Sequence, residues 1–150
     1  MTQIASKISA AALLSSLLAA GTAHAADTRL LDRHIANMKS GNLEGVLSDY
    51  APDAVVVTPP GLAGNKGVFV GPDTRKLFSV LTDKDHVPGN KSMQTRYETA
   101  GPDTTIMHWV QFKDTAQEVS GYDVFVVRAG KVVFQSVVVN PSPKLMPAAR

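Results

Sequence analysis

Between positions 28 and 40 the chain places its apolar residues at helical spacing. Leu30, His34 and Met38 are four apart, with Leu31 and Ile35 alongside, so all five share one helix face. Asp27 or Thr28 can cap the start of this segment and Gly41 ends it. Asn42 can cap a second, shorter helix, "LEGVLSDY", with the stripe Leu43, Val46, Leu47 and Tyr50. "APD" then turns the chain into "AVVVT", a β-branched run that reads as a strand. "PPGLAGNKG" is a loop by its breakers, and "VFV" is a short strand. Gly71 and Pro72 open a third helix, "PDTRKLFSVLTD", with Leu77, Phe78 and Leu81 on its apolar face. After "KDHVPGN" come four strand-like runs: "SMQTRYETA", "TTIMHWVQFKD", "EVSGYDVFVVR" and "KVVFQSVVV". The breaks between them carry hairpin signals, which predicts an antiparallel meander.

Helices followed by a run of antiparallel strands make an α+β domain, with the helices on one face of the sheet. The other face should then be polar. The last run contradicts that, with Val132, Phe134 and Val138 on one side and Val133, Val137 and Val139 on the other. In the preceding run Phe125 and Val127 alternate with Tyr122, Val124 and Val126. Something must cover the second apolar face, and a second copy of the chain is the economical answer, so a homodimer is expected.

The N-terminus reads as a leader. Lys7 precedes the apolar run "ISAAALLSSLLAAG", and Ala23-His24-Ala25 closes it with an A-x-A pattern, the layout of a secretory signal peptide. The run is short for a membrane span, which needs roughly 20 residues. The expected organisation is a signal peptide over 1–25, one domain over 26–140 and a proline-rich tail over 141–150. It implies a periplasmic or secreted protein with no stable membrane anchor once the leader is removed. Lys7 is the one charged residue before Ala26, which leaves 14 basic against 13 acidic side chains. That balance, interspersed along the chain, excludes an electrostatic footprint for nucleic acid.

The candidate chemistry is sparse. The chain has no cysteine, hence no thiol nucleophile, and no G-x-S-x-G elbow. Gly64-Asn65-Lys66-Gly67 does not match a phosphate loop. The histidines left after the leader, His34, His86 and His108, show no metal-ligand spacing, so neither a metal nor another cofactor is expected. What stands out is a polar group on each of two greasy faces. His34 interrupts the first helix's stripe, and Asp123 shares a strand face with Phe125 and Val127. His34 is either a buried structural histidine or a pocket group. Asp123 is either a pocket acid or a strand carboxylate paired with Arg96 or Lys131. His108 and Trp109 lie on opposite faces of their strand, so one of them looks toward the pocket side.

"LLDRHIANMKSGNLEGVLSDYAPDAVVVTPPG" and the later "GYDVFVVRAGKVVFQSV" resemble the nuclear transport factor 2-like (SnoaL-like) superfamily, which includes ketosteroid isomerases, scytalone dehydratase and polyketide cyclases. The resemblance implies a cone: a curved antiparallel sheet packed against three N-terminal helices, a cystatin-like α+β roll with a pocket at its open end. Fold does not fix activity in such a group. In the isomerase pattern His34 takes the place of the oxyanion-hole tyrosine. Thr58, before Pro59, stands where the catalytic aspartate base would be, and Asp123 matches the oxyanion-hole aspartate, which in those enzymes an apolar site keeps neutral. The expected site implied by the resemblance is therefore His34 with Asp123 as an acid–base pair, lined by Thr58, Phe78, Trp109 and Phe125. Two functions follow: an exported binder of a small apolar molecule, or an isomerase, dehydratase or cyclase acting through that pair. Classical ketosteroid isomerase activity is not expected, because threonine cannot serve as the base.

Overall fold

The computed structural model describes residues 23–141, with side chains from Thr28 onward. The expected leader therefore lies outside the described residues except for its last three, and the tail beyond Pro141 lies outside them entirely.

Helix α1 spans Ala23–Ser40, starting four residues before Asp27, the earlier of the two expected caps. Its buried stripe is Leu30, Leu31, His34, Ile35 and Met38. Gly41 ends it at a φ of +74°. The Asn42 amide bonds the Asn37 carbonyl at 2.9 Å and the Gly41 amide bonds that of Met38 at 3.2 Å, the paired bonds of a Schellman motif. The Asn42 side chain then accepts from the Gly45 amide and caps α2, Leu43–Leu47. Helix α3, Thr74–Leu81, follows a 3-10 turn over Gly71–Asp73 and buries Thr74, Leu77, Phe78 and Leu81.

Six strands form one sheet: β1 (Tyr50–Val57), β2 (Val68–Val70), β3 (Gln94–Thr99), β4 (Thr104–Gln111), β5 (Val119–Arg128) and β6 (Lys131–Val139). Their order is β2-β1-β6-β5-β4-β3. The four-strand meander is as expected, and the sheet curves around the helices as the cone does. The sheet is mixed rather than wholly antiparallel, because β1 runs parallel to β6. "APD" is not a turn before the strand. Ala51, Pro52 and Asp53 lie within β1, where the register against β6 shifts between Tyr50 and Val55. Proline cannot donate to a ladder, and a bulge is where a sheet tolerates it.

A second irregularity sets the faces of β6. Val127 pairs with Val132 and Val126 with Phe134, so Val133 is the extra residue of a bulge. Val132 therefore turns inward and Phe134 outward. This corrects the expected alternation, which put those two on one side. Gln135, Val137 and Val139 follow on the inner face, opposite Phe125, Asp123 and Gly121. Every second residue of β5 from Gly121 to Val127 is buried, and the residues between are half-buried. The core between inner face and helices includes Leu31, Val56, Leu77, Phe78, Met107, Phe125 and Val132. Each such side chain, fully buried, contributes roughly 1.5–3 kcal/mol.

Candidate functional site

The helix stripe and the inner sheet face carry His34 into the centre of this core. The residue is 2 % exposed, and its ring lies edge-on to three aromatic rings. The centroid separations are 5.7 Å to Tyr50, 6.0 Å to Phe78 and 5.7 Å to Phe125. Burial in that apolar box pushes the imidazole down to about 4, so it is neutral at physiological pH.

The carboxylate beside His34 belongs to Asp49, at the junction of α2 and β1. Asp49 is fully buried. Arg33, one residue before His34 on α1, donates to Asp49 Oδ1 from Nε at 2.8 Å and from its terminal nitrogen at 2.6 Å. Asp49 Oδ2 lies 4.0 Å from His34 Nδ1, and neither of those buried atoms has a hydrogen-bond partner among the described residues. Burial pushes the Asp49 carboxyl up, and the Arg33 guanidinium pulls it back down.

Asp123 sits elsewhere on the inner wall, 6 % exposed. It pairs with neither Arg96 nor Lys131. Its Oδ1 accepts from the Trp109 indole at 2.8 Å and its Oδ2 from the Gln135 amide at 2.7 Å. The Gln135 carbonyl in turn accepts from the Tyr50 hydroxyl at 2.5 Å. The chain of donors runs one way, Tyr50 to Gln135 to Asp123. No cation belongs to it. Burial raises the Asp123 carboxyl to about 6, against the lowering effect of its two hydrogen bonds. Burial also holds the Tyr50 hydroxyl well above its usual range, and the charges of Asp123 and Asp49 add to that.

His34 and Asp123, expected as a pair, thus belong to separate polar groups, and Tyr50 bridges them: its ring meets His34 and its hydroxyl starts the chain to Asp123. Phe78 and Phe125 surround His34 as core residues. Thr58 is buried just past the end of β1, where its amide bonds the Gly67 carbonyl at 2.8 Å and its hydroxyl donates to the Pro59 carbonyl at 3.3 Å. Trp109 faces inward and His108 outward, paired with Glu98 at 3.1 Å. A cavity of about 340 Å³ lies at the end of the sheet, bordered by Trp109 together with Arg96, His108 and Lys113. Of the expected lining residues, Trp109 borders it.

Gln135, Asp49 and Arg33 were not anticipated. Gln135 could have been found by the signal that singled out Asp123, a polar residue among apolar neighbours in a strand. Asp49 carries no such signal, because a carboxylate between two elements ordinarily reads as a solvated cap or turn.

Chemically, an ionised Asp123 can only accept hydrogen bonds, and two of its acceptor positions are filled by neutral donors. It is suited to take a proton or a donor from a bound molecule. Neutral His34 offers one ring donor and one acceptor, and Asp49 is the group that can set which is which.

No family model and no curated protein matches the sequence. Solved structures do share the fold. An NTF-2 like protein of unknown function from Burkholderia xenovorans matches with a TM-score of 0.61 at 18 % identity, covering 85 % of this chain and 92 % of that one. A SnoaL-like protein of unknown function from Burkholderia thailandensis matches at 0.60 and 18 %, covering 79 % and 98 %. TerC, crystallised with polyporic acid, matches at 0.57 and 17 %, covering 77 % and 92 %. The chain has the nuclear transport factor 2-like fold.

Proposed function

We propose that the protein is an exported small-molecule-binding protein. It holds a small apolar ligand bearing a hydrogen-bond donor against Asp123, beside Trp109. The observation that carries this reading is the buried Asp123 carboxylate, held by two neutral donors and no cation. A carboxylate in an apolar wall without a counter-ion costs stability, which its two neutral donors offset only in part. A ligand donor would fill its remaining acceptor capacity. A homodimer formed through the apolar outer face of the sheet, and removal of the leader between Ala25 and Ala26, complete the reading.

A second reading, an isomerase, dehydratase or cyclase, is favoured by the burial of Asp123 on an apolar wall. Asp123 is held up at about 6, close to the working range of a general acid or base near neutral pH. The buried Thr58 supplies no base to go with it.

The test is native mass spectrometry of protein purified from its own periplasm, followed by binding of the co-purified molecule to wild type and Asp123→Asn. The reading expects a bound apolar molecule and at least tenfold weaker binding by the variant. An empty protein, or equal binding by the folded variant, overturns it. Turnover of the molecule by wild type, lost in Asp123→Asn, would move the conclusion to the enzyme.

A further inference from the structure

The 340 Å³ cavity lies on the other side of the sheet from Asp123. On β3 and β4, Arg96 pairs with His108 and Gln94 with Val110, and on β5 His108 pairs with Tyr122 and Val110 with Ser120. All of these point away from the row Tyr97, Met107 and Asp123 that faces the core. Gly121 and Trp109 present their backbone to the groove and turn their other side to the core, where a Cβ on Gly121 would lie 2.5 Å from Trp109 Cζ2.

Ten residues line the groove, and none is a carboxylate. Arg96 and Lys113 reach it from two different elements, and neither makes an ion pair among the described residues. His108 adds a ring whose outer nitrogen already holds Glu98. Gln94, Ser120 and Asn140 supply neutral donors, and Asn140 is fixed by a 3.1 Å bond from its amide to Ser120 Oγ. Two unpaired cations converging on a concave surface, with neutral donors between them, favour negative charge. The volume is at the low end of that of small-molecule sites.

We propose that this groove binds the anionic group of a small organic acid or phosphate ester, with Arg96 and Lys113 as the charged anchors. The site is independent of the inner-face reading: it uses neither Asp123 nor His34.

The experiment is a nitrogen-resolved NMR titration of the full mature protein with benzoate, with benzyl alcohol as a neutral probe of the same shape, and with inorganic phosphate. Benzoate should give saturable shifts at the backbone amides of Thr95, Trp109, Ser120 and Gly121. Benzyl alcohol should shift these signals at least tenfold less at equal concentration. Arg96→Gln and Lys113→Gln should each weaken benzoate at least fivefold. Lys84→Gln, the same charge loss on an exposed residue that does not line the groove, should leave it unchanged. About 0.5 M salt should weaken binding too, since exposed charges are screened. Tighter binding of phosphate than of benzoate would identify a phosphate ester as the ligand, and the reverse a carboxylate. Both anchors are exposed, so the variants keep the fold, which their amide spectra check. Equal shifts from benzyl alcohol, unchanged affinity in both groove variants, or shifts linear with anion concentration would overturn the proposal.

Discussion

His34 Nδ1 and Asp49 Oδ2 lie 4.0 Å apart in the core, and each is without another partner among the described residues. Leaving a buried polar atom unsatisfied costs about 1–3 kcal/mol, so each is the other's cheapest relief. Arg33 already holds Oδ1, which keeps Asp49 an acceptor. His34 should therefore carry its proton on Nδ1. Nitrogen chemical shifts of the imidazole report this directly. In Asp49→Asn the amide oxygen must still face Arg33, so the amide nitrogen faces His34, and the proton should move to Nε2. A wild-type ring protonated on Nε2, or a folded variant with an unchanged tautomer, would contradict the arrangement.

Two of the buried titratable groups, His34 and Asp123, pull stability in opposite directions with pH. His34, lowered to about 4, stays neutral in the folded chain while the unfolded chain protonates near 6.5, so its contribution to stability rises as pH goes from about 4 to 6.5. Asp123, raised to about 6, holds its proton in the folded chain while the unfolded chain has lost it near 4, so its contribution falls between about 4 and 6. Each effect is on the order of 3 kcal/mol, so they largely offset one another. Denaturant unfolding at several pH values checks this. His34→Phe should lose stability relative to wild type as pH rises through that window, and Asp123→Asn should gain. Parallel pH profiles for all three proteins would show that the shifts are absent.

Coupling should run along the hydrogen bonds. In a double-mutant cycle Asp123→Leu and Gln135→Leu should be non-additive by about 0.5–3 kcal/mol, because removing either leaves the other unpaired. Thermal or denaturant stability of the four proteins measures it. Additive changes would mean that the 2.7 Å contact carries no energy.

Gly121→Ala should drive the Trp109 ring from its place. The added carbon would meet the ring and the Val138 carbonyl, and neither can yield without opening the β5–β6 ladder or the bond to Asp123. A loss of about 2–4 kcal/mol is expected, in the range of overpacking with loss of a buried hydrogen bond. Fluorescence of the sole tryptophan should change with it. An unchanged emission spectrum would place the indole elsewhere.

The outer sheet face should form a homodimer. Val124, Val126, Phe134 and Val138 are half-buried there, and Val68 and Val70 at the β2 edge are 50 % and 51 % exposed. Sedimentation at micromolar concentration should give twice the monomer mass, and Phe134→Glu should halve it. A monomeric wild type would leave that face to another partner.

The succession of elements was legible because each announces its own period: the Leu30–Met38 stripe is helical, and the β-branched runs from 104 onward alternate. The two bulges were not. Pro52 in "YAPDAVVV" reads as a turn until the strand around it is known, and nothing in "KVVFQ" marks an extra residue, because a bulge is fixed by the strand opposite. The parallel pairing of β1 with β6 joins segments some eighty residues apart, and local patterns do not reach that far. At the site, His34 and Asp123 were visible as polar groups on apolar faces, while strand alternation left open whether Trp109 or His108 turns inward. Their partners were not, because partnership is settled by the tertiary packing that seats Asp49 under α1 and turns Gln135 inward.

The parallel strand pair also sets when the molecule can become itself. Tyr50 and Gln135 are 85 residues apart in sequence and meet only when the final strand docks against the first. Closing so long a loop must precede the contacts that reward it, which slows folding in chains dominated by distant pairings. During synthesis β1 therefore waits with one edge bare for nearly the whole chain, and Asp123 emerges before Gln135, the second of its two donors. The last strand to leave the ribosome is the one that locks the first.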